Sequence, residues 1–252
     1  MTKEEDLLTA RFRELADRAY NQNIYTYTEF LSAADQNILL DMQAELSYIP
    51  FILSGGVEGT DRMMARFGSA ELFGYEEPFP IACIRIVPLN IKFAETLSHR
   101  DYLGALMNLG IERTVLGDIM IRETEAYVFC LRSMAEHIME SVTRIRHTSV
   151  RCELLDEMPE FLAPHYVEHQ DTVASRRADV VCAMVFHLSR SQISALFVSQ
   201  KVSVNGRISA NHSYMLKDTD VVAVRGYGKF RFDRELGHTK KDKLLIAYSV
   251  PE

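Results

Sequence analysis

The tightest constraint in this 252-residue chain lies between Ser189 and Gly206. Ser189-Arg190-Ser191-Gln192 has capping-box spacing: the serine side chain can meet the N3 amide, and Gln192 can reach back to the cap. A helix is therefore expected from Arg190 to about Ser199. Lys201 follows, then Val202-Ser203-Val204, then Asn205-Gly206, the strongest two-residue hairpin signal, with Arg207-Ile208 starting the return strand. Upstream, Val180 to Leu188 reads as another helix, with Arg176, Arg177 and Asp179 at its start. Downstream, Val221 to Val224 reads as a strand that Arg225-Gly226-Tyr227-Gly228-Lys229 continues.

Charge says what such a segment could meet. Residues 175–252 hold 13 Lys+Arg against 7 Asp+Glu, a balance of +6, while residues 1–174 hold 15 against 28, a balance of −13; the whole chain is at −7. A contact driven by phosphate neutralisation therefore belongs at the C-terminal end. At the start of the second helix, free N–H groups, the Ser189 and Ser191 hydroxyls and Arg190 converge near the positive end of the helix dipole, which suits a phosphate. Arg176, Arg177, Arg190, Lys201, Arg207, Arg225 and Lys229 would extend one basic surface that meets the sugar–phosphate backbone of folded RNA by shape and charge. Asp179 repels phosphate, so it is expected to orient a neighbouring arginine or to cap the first helix.

The rest of the chain reads as an α+β protein. Residues 1–75 look like a small, mostly helical domain: an amphipathic helix over 4–20, a second helix capped by Thr28 or Ser32, an apolar run from Ile49 to Leu53, and a helix from about Thr60 to Phe67. Residues 76–155 change rhythm. Strands at Ile81–Val87, Val115–Ile121, Ala126–Leu131 and Ser149–Leu155 alternate with helices at His99–Leu109 and Met134–Val142, giving the β-α-β-β-α-β order of ferredoxin-like and RRM-like folds. Tyr127 and Phe129 alternate on one strand and could stack bases, although strand aromatics more often fill a core. Residues 156–174 are acidic, contain Pro159 and Pro164, and read as a linker; residues 175–252 form the last domain with a C-terminal extension.

Several classes drop out. No apolar run reaches the length of a membrane span, and Met1 to Arg13 lacks the apolar core of a secretory signal, so a cytoplasmic protein is expected. The four cysteines (Cys83, Cys130, Cys152, Cys182) are far apart and form no Cys-x-x-Cys pair, so they read as buried free thiols. His165 and His169 have i, i+4 spacing, but nothing completes a metal set, and no metal, cofactor or small-molecule substrate is expected. His99-Arg100-Asp101 mimics a protein-kinase catalytic loop, but Leu106 stands where its asparagine is required. Gly55-Gly56-Val57-Glu58-Gly59 has the wrong spacing for a methyltransferase cofactor loop. No Gly-Arg-Leu-Asp motif supports a pseudouridine synthase. A nuclease using His99 and Asp101 is the remaining enzyme reading, and no catalytic residue is assigned.

The order of motifs over about 175–232 resembles an S4-type (αL) RNA-binding domain. It departs from the usual pattern at Ala178, where leucine is common; at Gln200, where glycine usually ends the second helix; and at Thr219, which replaces a glycine before Asp220. Further motifs narrow the family. Ser98 to Leu106, Leu109-Gly110-Ile111-Glu112-Arg113 and Gly117-Asp118-Ile119 resemble the central RNA-binding domain of the bacterial YlmH family. Gly55-Gly56 with Asp61-Arg62 and the tail Gly237-His238-Thr239-Lys240-Lys241 look similar to it too. The resemblance implies a helical N-terminal domain, a central α/β domain and a C-terminal S4-type domain, with no known catalytic activity. It implies a partner in the RNA of the large ribosomal subunit, and in tRNA, within ribosome-associated quality control on subunits obstructed by peptidyl-tRNA; some family members carry a cell-division label. By the same resemblance Ser189, Arg190, Gln192, Lys201, Asn205 and Arg225 match the module's RNA-contacting face. His99, Arg100 and Arg113 match the central motif, either as a second RNA surface or as support for the fold. Two other functions remain open at this point: an RNA-modifying enzyme, and an adaptor whose acidic N-terminal part grips a protein in cell division.

Overall fold

Helix α1 (Lys3–Gln22) places Thr9, Phe12, Leu15, Ala16 and Ala19 on one buried stripe, as its spacing requires. Strand β1 (Thr26–Tyr27) follows, then α2 (Ala33–Asp41), β2 (Phe51–Ser54), β3 (Met64–Phe67) and α3 (Ala70–Phe73). Ser32 caps α2: its backbone N–H and hydroxyl donate to the Asp35 carboxylate at 3.0 and 2.7 Å. The strands form an antiparallel sheet in the order β1-β3-β2. The computed structural model describes residues 3–163, 165–239 and 242–251. Lys240 and Lys241 of the tail motif lie outside them.

One expectation fails here. The helix expected from Thr60 to Phe67 is instead strand β3, with all four residues buried between β1 and β2. Residues 1–75 are thus a mixed α/β region rather than a mostly helical one. A short apolar stretch has no periodicity of its own, and long-range pairing decides its state.

The central elements are β4 (Ile81–Pro88), α4 (His99–Asn108), β5 (Leu116–Arg122), β6 (Glu125–Leu131), α5 (Ala135–Ser141), β7 (Arg144–Ile145) and β8 (Thr148–Leu154). The expected β-α-β-β-α-β order is present, with β7 added. The sheet is antiparallel, in the order β5-β6-β4-β8-β7. Alternation along β4 and β6 sends Ala82, Ile84, Ile86, Ala126, Val128 and Cys130 to a core with Tyr102 and Leu106 of α4 and Ile138 of α5. The alternate residues Ile81, Cys83, Tyr127 and Phe129 face a second core, closed by Phe30, Met64 and Leu162. Residues 1–75 and 76–155 therefore share a core, and Met1–Ala163 forms one compact unit.

The second unit, Pro164–Glu252, contains β9 (Tyr166–Val173), α6 (Ala178–Val185), α7 (Arg190–Val198), β10 (Val202–Val204), β11 (Arg207–Ile208), β12 (Val221–Val224), β13 (Gly228–His238) and β14 (Leu244–Pro251). They make one antiparallel sheet in the order β11-β10-β12-β13-β14-β9. The two helices are bent 118° from one another, and they bury Val181, Cys182, Ile193 and Phe197 against Val222, Phe230, Phe232 and Ile246. The segment expected as a linker carries β9, which pairs with β14 from Leu244↔Val173 to Pro251↔Tyr166. Its exposed polar residues hid it, because an edge strand need not alternate. Arg225, Gly226 and Tyr227 form the turn between β12 and β13 rather than continuing the strand. Among the described residues no single helix is long and apolar enough to cross a membrane.

Candidate nucleic-acid interface

The start of α7 is built as its sequence requires. The Gln192 amide donates to Ser189 Oγ at 3.3 Å. In return, the Ser189 N–H and hydroxyl donate to Gln192 Oε1 at 2.9 and 2.8 Å. Ser191 Oγ lies 3.0 Å from Ser189 Oγ. The cap thus occupies much of the hydrogen-bonding capacity of Ser189 and Gln192. Arg190, exposed beside it, makes no ion pair among the described residues.

At the other end, α7 closes through Lys201 N–H to Leu196 C=O at 2.9 Å and Gln200 N–H to Phe197 C=O at 3.1 Å, with Gln200 left-handed at φ 55°. Lys201 is exposed. Its carbonyl accepts the Arg225 N–H at 2.8 Å, so these two cationic residues sit side by side. Roughly 12 Å of helix separates Arg190 from this pair, at 1.5 Å per residue. Arg207 is exposed on β11 and Lys229 half-buried on β13; both have partners within the protein.

Three other site candidates are engaged inside the unit. Arg176 donates to the Leu216 carbonyl at 2.9 and 2.6 Å, lies 3.6 Å from Glu235 and sits over the Phe232 ring. Arg177 holds Asp179 with two bonds of 3.0 and 2.9 Å. Asp179 therefore orients an arginine, and it also accepts the Val180 N–H at 3.0 Å. Partial burial pushes its carboxyl up, but the Arg177 bonds, the Val180 amide and nearby His212 outweigh this and hold it below the ordinary range. Asn205 takes the first turn position at φ 50°, donates to buried Asp220 at 2.7 Å and accepts the Val221 N–H at 2.9 Å. Its side chain locks the hairpin to β12.

In the first unit the central candidates divide. His99 and Arg100 are exposed on the first turn of α4. Asp101 accepts the Ser98 N–H and hydroxyl at 2.8 and 2.7 Å, so the aspartate of the kinase-like triplet caps the helix. Arg113 is half-buried and donates to the Leu116 and Gly117 carbonyls at 3.0 Å each. Arg62 reaches the same corner, donating to the carbonyls of Leu116 at 2.9 Å, Phe30 at 2.8 Å and Arg113 at 3.1 Å. Burial lowers the pKa of both guanidiniums and raises that of Asp118, which accepts the Asp61 N–H. Base stacking on Tyr127 and Phe129 is ruled out by this geometry. Phe129 is fully buried and Tyr127 6% exposed, under Phe30, Met64 and Leu162. A Cβ on Gly117 of β5 would lie 2.7 Å from Phe30, and one on Gly56 2.7 Å from Phe129, so these glycines let Phe30 and the loop at Gly56 close over the sheet.

His212 was not evident as a neighbour of this site. It lies 3.4 Å from Arg177 and 3.8 Å from Asp179, and no spacing in the sequence joins it to them. Arg144 and Arg146 were missed as well, although the run Arg144-Ile145-Arg146-His147 is a visible basic signal in an acidic region. His169 stacks on Tyr248, with ring centroids 5.5 Å apart.

The class these features define is a protein of two α/β units, the second of which exposes Arg190, Lys201 and Arg225. The model of the family described as "Putative RNA-binding domain in YlmH" matches residues 75–158. A Bacillus subtilis (strain 168) protein named ribosome-associated protein quality control protein P2 is 28% identical over 225 residues, covering 88% of this chain and 85% of that protein. The structure named cell division protein ylmH from Streptococcus pneumoniae matches with a TM-score of 0.50 at 17% identity, covering 62% of this chain and 93% of that one; it shows likeness of fold. The family model thus matches the central part of the chain, and the similarity to the B. subtilis protein extends over most of its length.

Proposed function

We propose that this chain is a non-catalytic RNA-binding protein that docks on structured RNA of the large ribosomal subunit and on peptidyl-tRNA, in ribosome-associated quality control in the cytoplasm. The observation that carries the reading is the pairing of Lys201 with Arg225, and the free Arg190, on a unit where 13 Lys+Arg face 9 Asp+Glu over residues 164–252. Helices α6 and α7 followed by the β10–β11 hairpin are read as an S4-type module. Arg190, Lys201 and Arg225 are its phosphate contacts, and Arg176, Arg177 and Asn205 hold the surface that presents them. The name of the B. subtilis relative supports the ribosomal setting.

The test is co-sedimentation of Arg190→Ala/Lys201→Ala with large ribosomal subunits over a salt series. Binding should weaken, and its salt slope should become shallower by about 1 for each phosphate that is no longer neutralised. Unchanged co-sedimentation would overturn the assignment.

A further inference from the structure

The first unit contains a groove of about 480 Å3 between α4 and the segment that runs from the end of α5 through β7 to the turn at Arg146. Arg100 on α4 and Arg144 and Arg146 on the β7–β8 hairpin line it, and Asp101 is the one carboxylate on its wall among the described residues. Residues 1–163 hold 15 Lys+Arg against 26 Asp+Glu, so this arginine cluster runs against a balance of −11. Arg100 and Arg144 are exposed and make no ion pair or side-chain hydrogen bond among the described residues. Arg146 sits in the hairpin turn at φ 53°, and its guanidinium is 3.5 Å from Asp101. Asp101 is already committed to the Ser98 amide and hydroxyl. Guanidiniums gathered around one groove repel each other, and a bound anion relieves that repulsion beyond what solvent and Asp101 supply. The planar fork of arginine suits phosphate oxygens. Gly104 and Ala105 keep the floor low, and a Cβ added at Gly104 would meet nothing within 4 Å.

We propose that this groove is a second RNA site, in which Arg100, Arg144 and Arg146 hold backbone phosphates of the RNA. It rests on the reading of the chain as an RNA-binding protein and adds a contact independent of Arg190, Lys201 and Arg225. It also replaces the trio His99, Arg100 and Arg113, since Arg113 is spent on backbone carbonyls.

The experiment uses the full chain and a labelled single-stranded RNA oligonucleotide, with affinity measured across a salt series. Arg100→Ala/Arg144→Ala should bind about tenfold more weakly, with a salt slope shallower by about 1.4, since each phosphate neutralised on single-stranded RNA contributes about 0.7. Gly104→Gln fills the groove without changing its charge and should also weaken binding. Both variants should melt no lower than the parent. If both groove variants bind within about twofold of the parent while Arg190→Ala/Lys201→Ala is weakened, the groove is not an RNA site and the C-terminal reading survives. If the groove variants lose binding and the Arg190/Lys201 variant does not, the groove stands, and co-sedimentation with large subunits decides the C-terminal reading separately. If every variant binds as the parent does, the groove is not an RNA site, and the C-terminal reading rests on the co-sedimentation result.

Discussion

Two backbone positions carry strain at residues where the S4-type pattern has glycine. Gln200 closes α7 at φ 55°, and Thr219 stands at φ 72° with its N–H donating to Phe232 C=O at 2.7 Å. A β-branched residue is especially poor in the left-handed region. Gln200→Gly is expected to stabilise the chain by about 0.5–1 kcal/mol, and Thr219→Gly by about 1 kcal/mol, in urea unfolding. Arg113→Ala makes the opposite case. It removes the Arg113 bond to the Gly117 carbonyl, while Leu116 keeps Arg62, and should cost about 1–2 kcal/mol of stability while leaving RNA affinity unchanged in the folded protein. The thiols of Cys83, Cys130 and Cys182 are pushed up to about 12, and that of Cys152 to about 11, in each case mainly by burial. At pH 8 the native chain should resist iodoacetamide, and the urea-unfolded chain should react at all four positions.

At the scale of elements, local signals succeeded where an element carries its own punctuation. The capping box read at Ser189 marks a real helix start, Ser32 rather than Thr28 caps α2, and the structure adds a third box at Ser98. The Ile-rich β4 and the Asn205-Gly206 turn are equally self-announcing. What failed depended on partners far along the chain. Strand β3 exists because β1 and β2 flank it, and β9 exists because β14 offers it a ladder. The burial of Phe129 depends on Phe30, on Gly56 in a distant loop and on Gly117 of the neighbouring strand β5, so the alternation of Tyr127 and Phe129 could not distinguish a core from a stacking platform. The site was legible in type but not in division of labour. Sequence placed the cations at the C-terminal end, and only geometry separated Lys201 and Arg225 from the engaged Arg176 and Arg177. The start of α6 provides an acid-sensitive test. The Asp179 carboxyl is held below its ordinary 3.8, so its contribution is fully present above that value and is lost as pH falls through the lower, folded-state value. Asp179→Asn should lower stability at pH 7 and flatten the loss of stability below about pH 4, as read by urea midpoints across pH.

Over the whole molecule, charge is divided between the units, −11 over residues 1–163 and +4 over residues 164–252. A weakly basic unit tied to a strongly acidic one gives little net attraction for RNA, so affinity must come from a few placed cations. On large ribosomal subunits, Arg190, Lys201 and Arg225 together should contribute a salt slope of about 3. Replacing all three by alanine should remove that much, whereas three alanines at exposed cations elsewhere, such as Arg11, Arg18 and Arg122, should not. The most direct measurement is a cryo-EM map of the full chain on large ribosomal subunits isolated from cells. The account predicts density for the loop from Lys201 and the turn at Arg225 against RNA phosphates, with the start of α7 on the same RNA. A map in which the chain binds the particle with residues 164–252 turned away from RNA would contradict it.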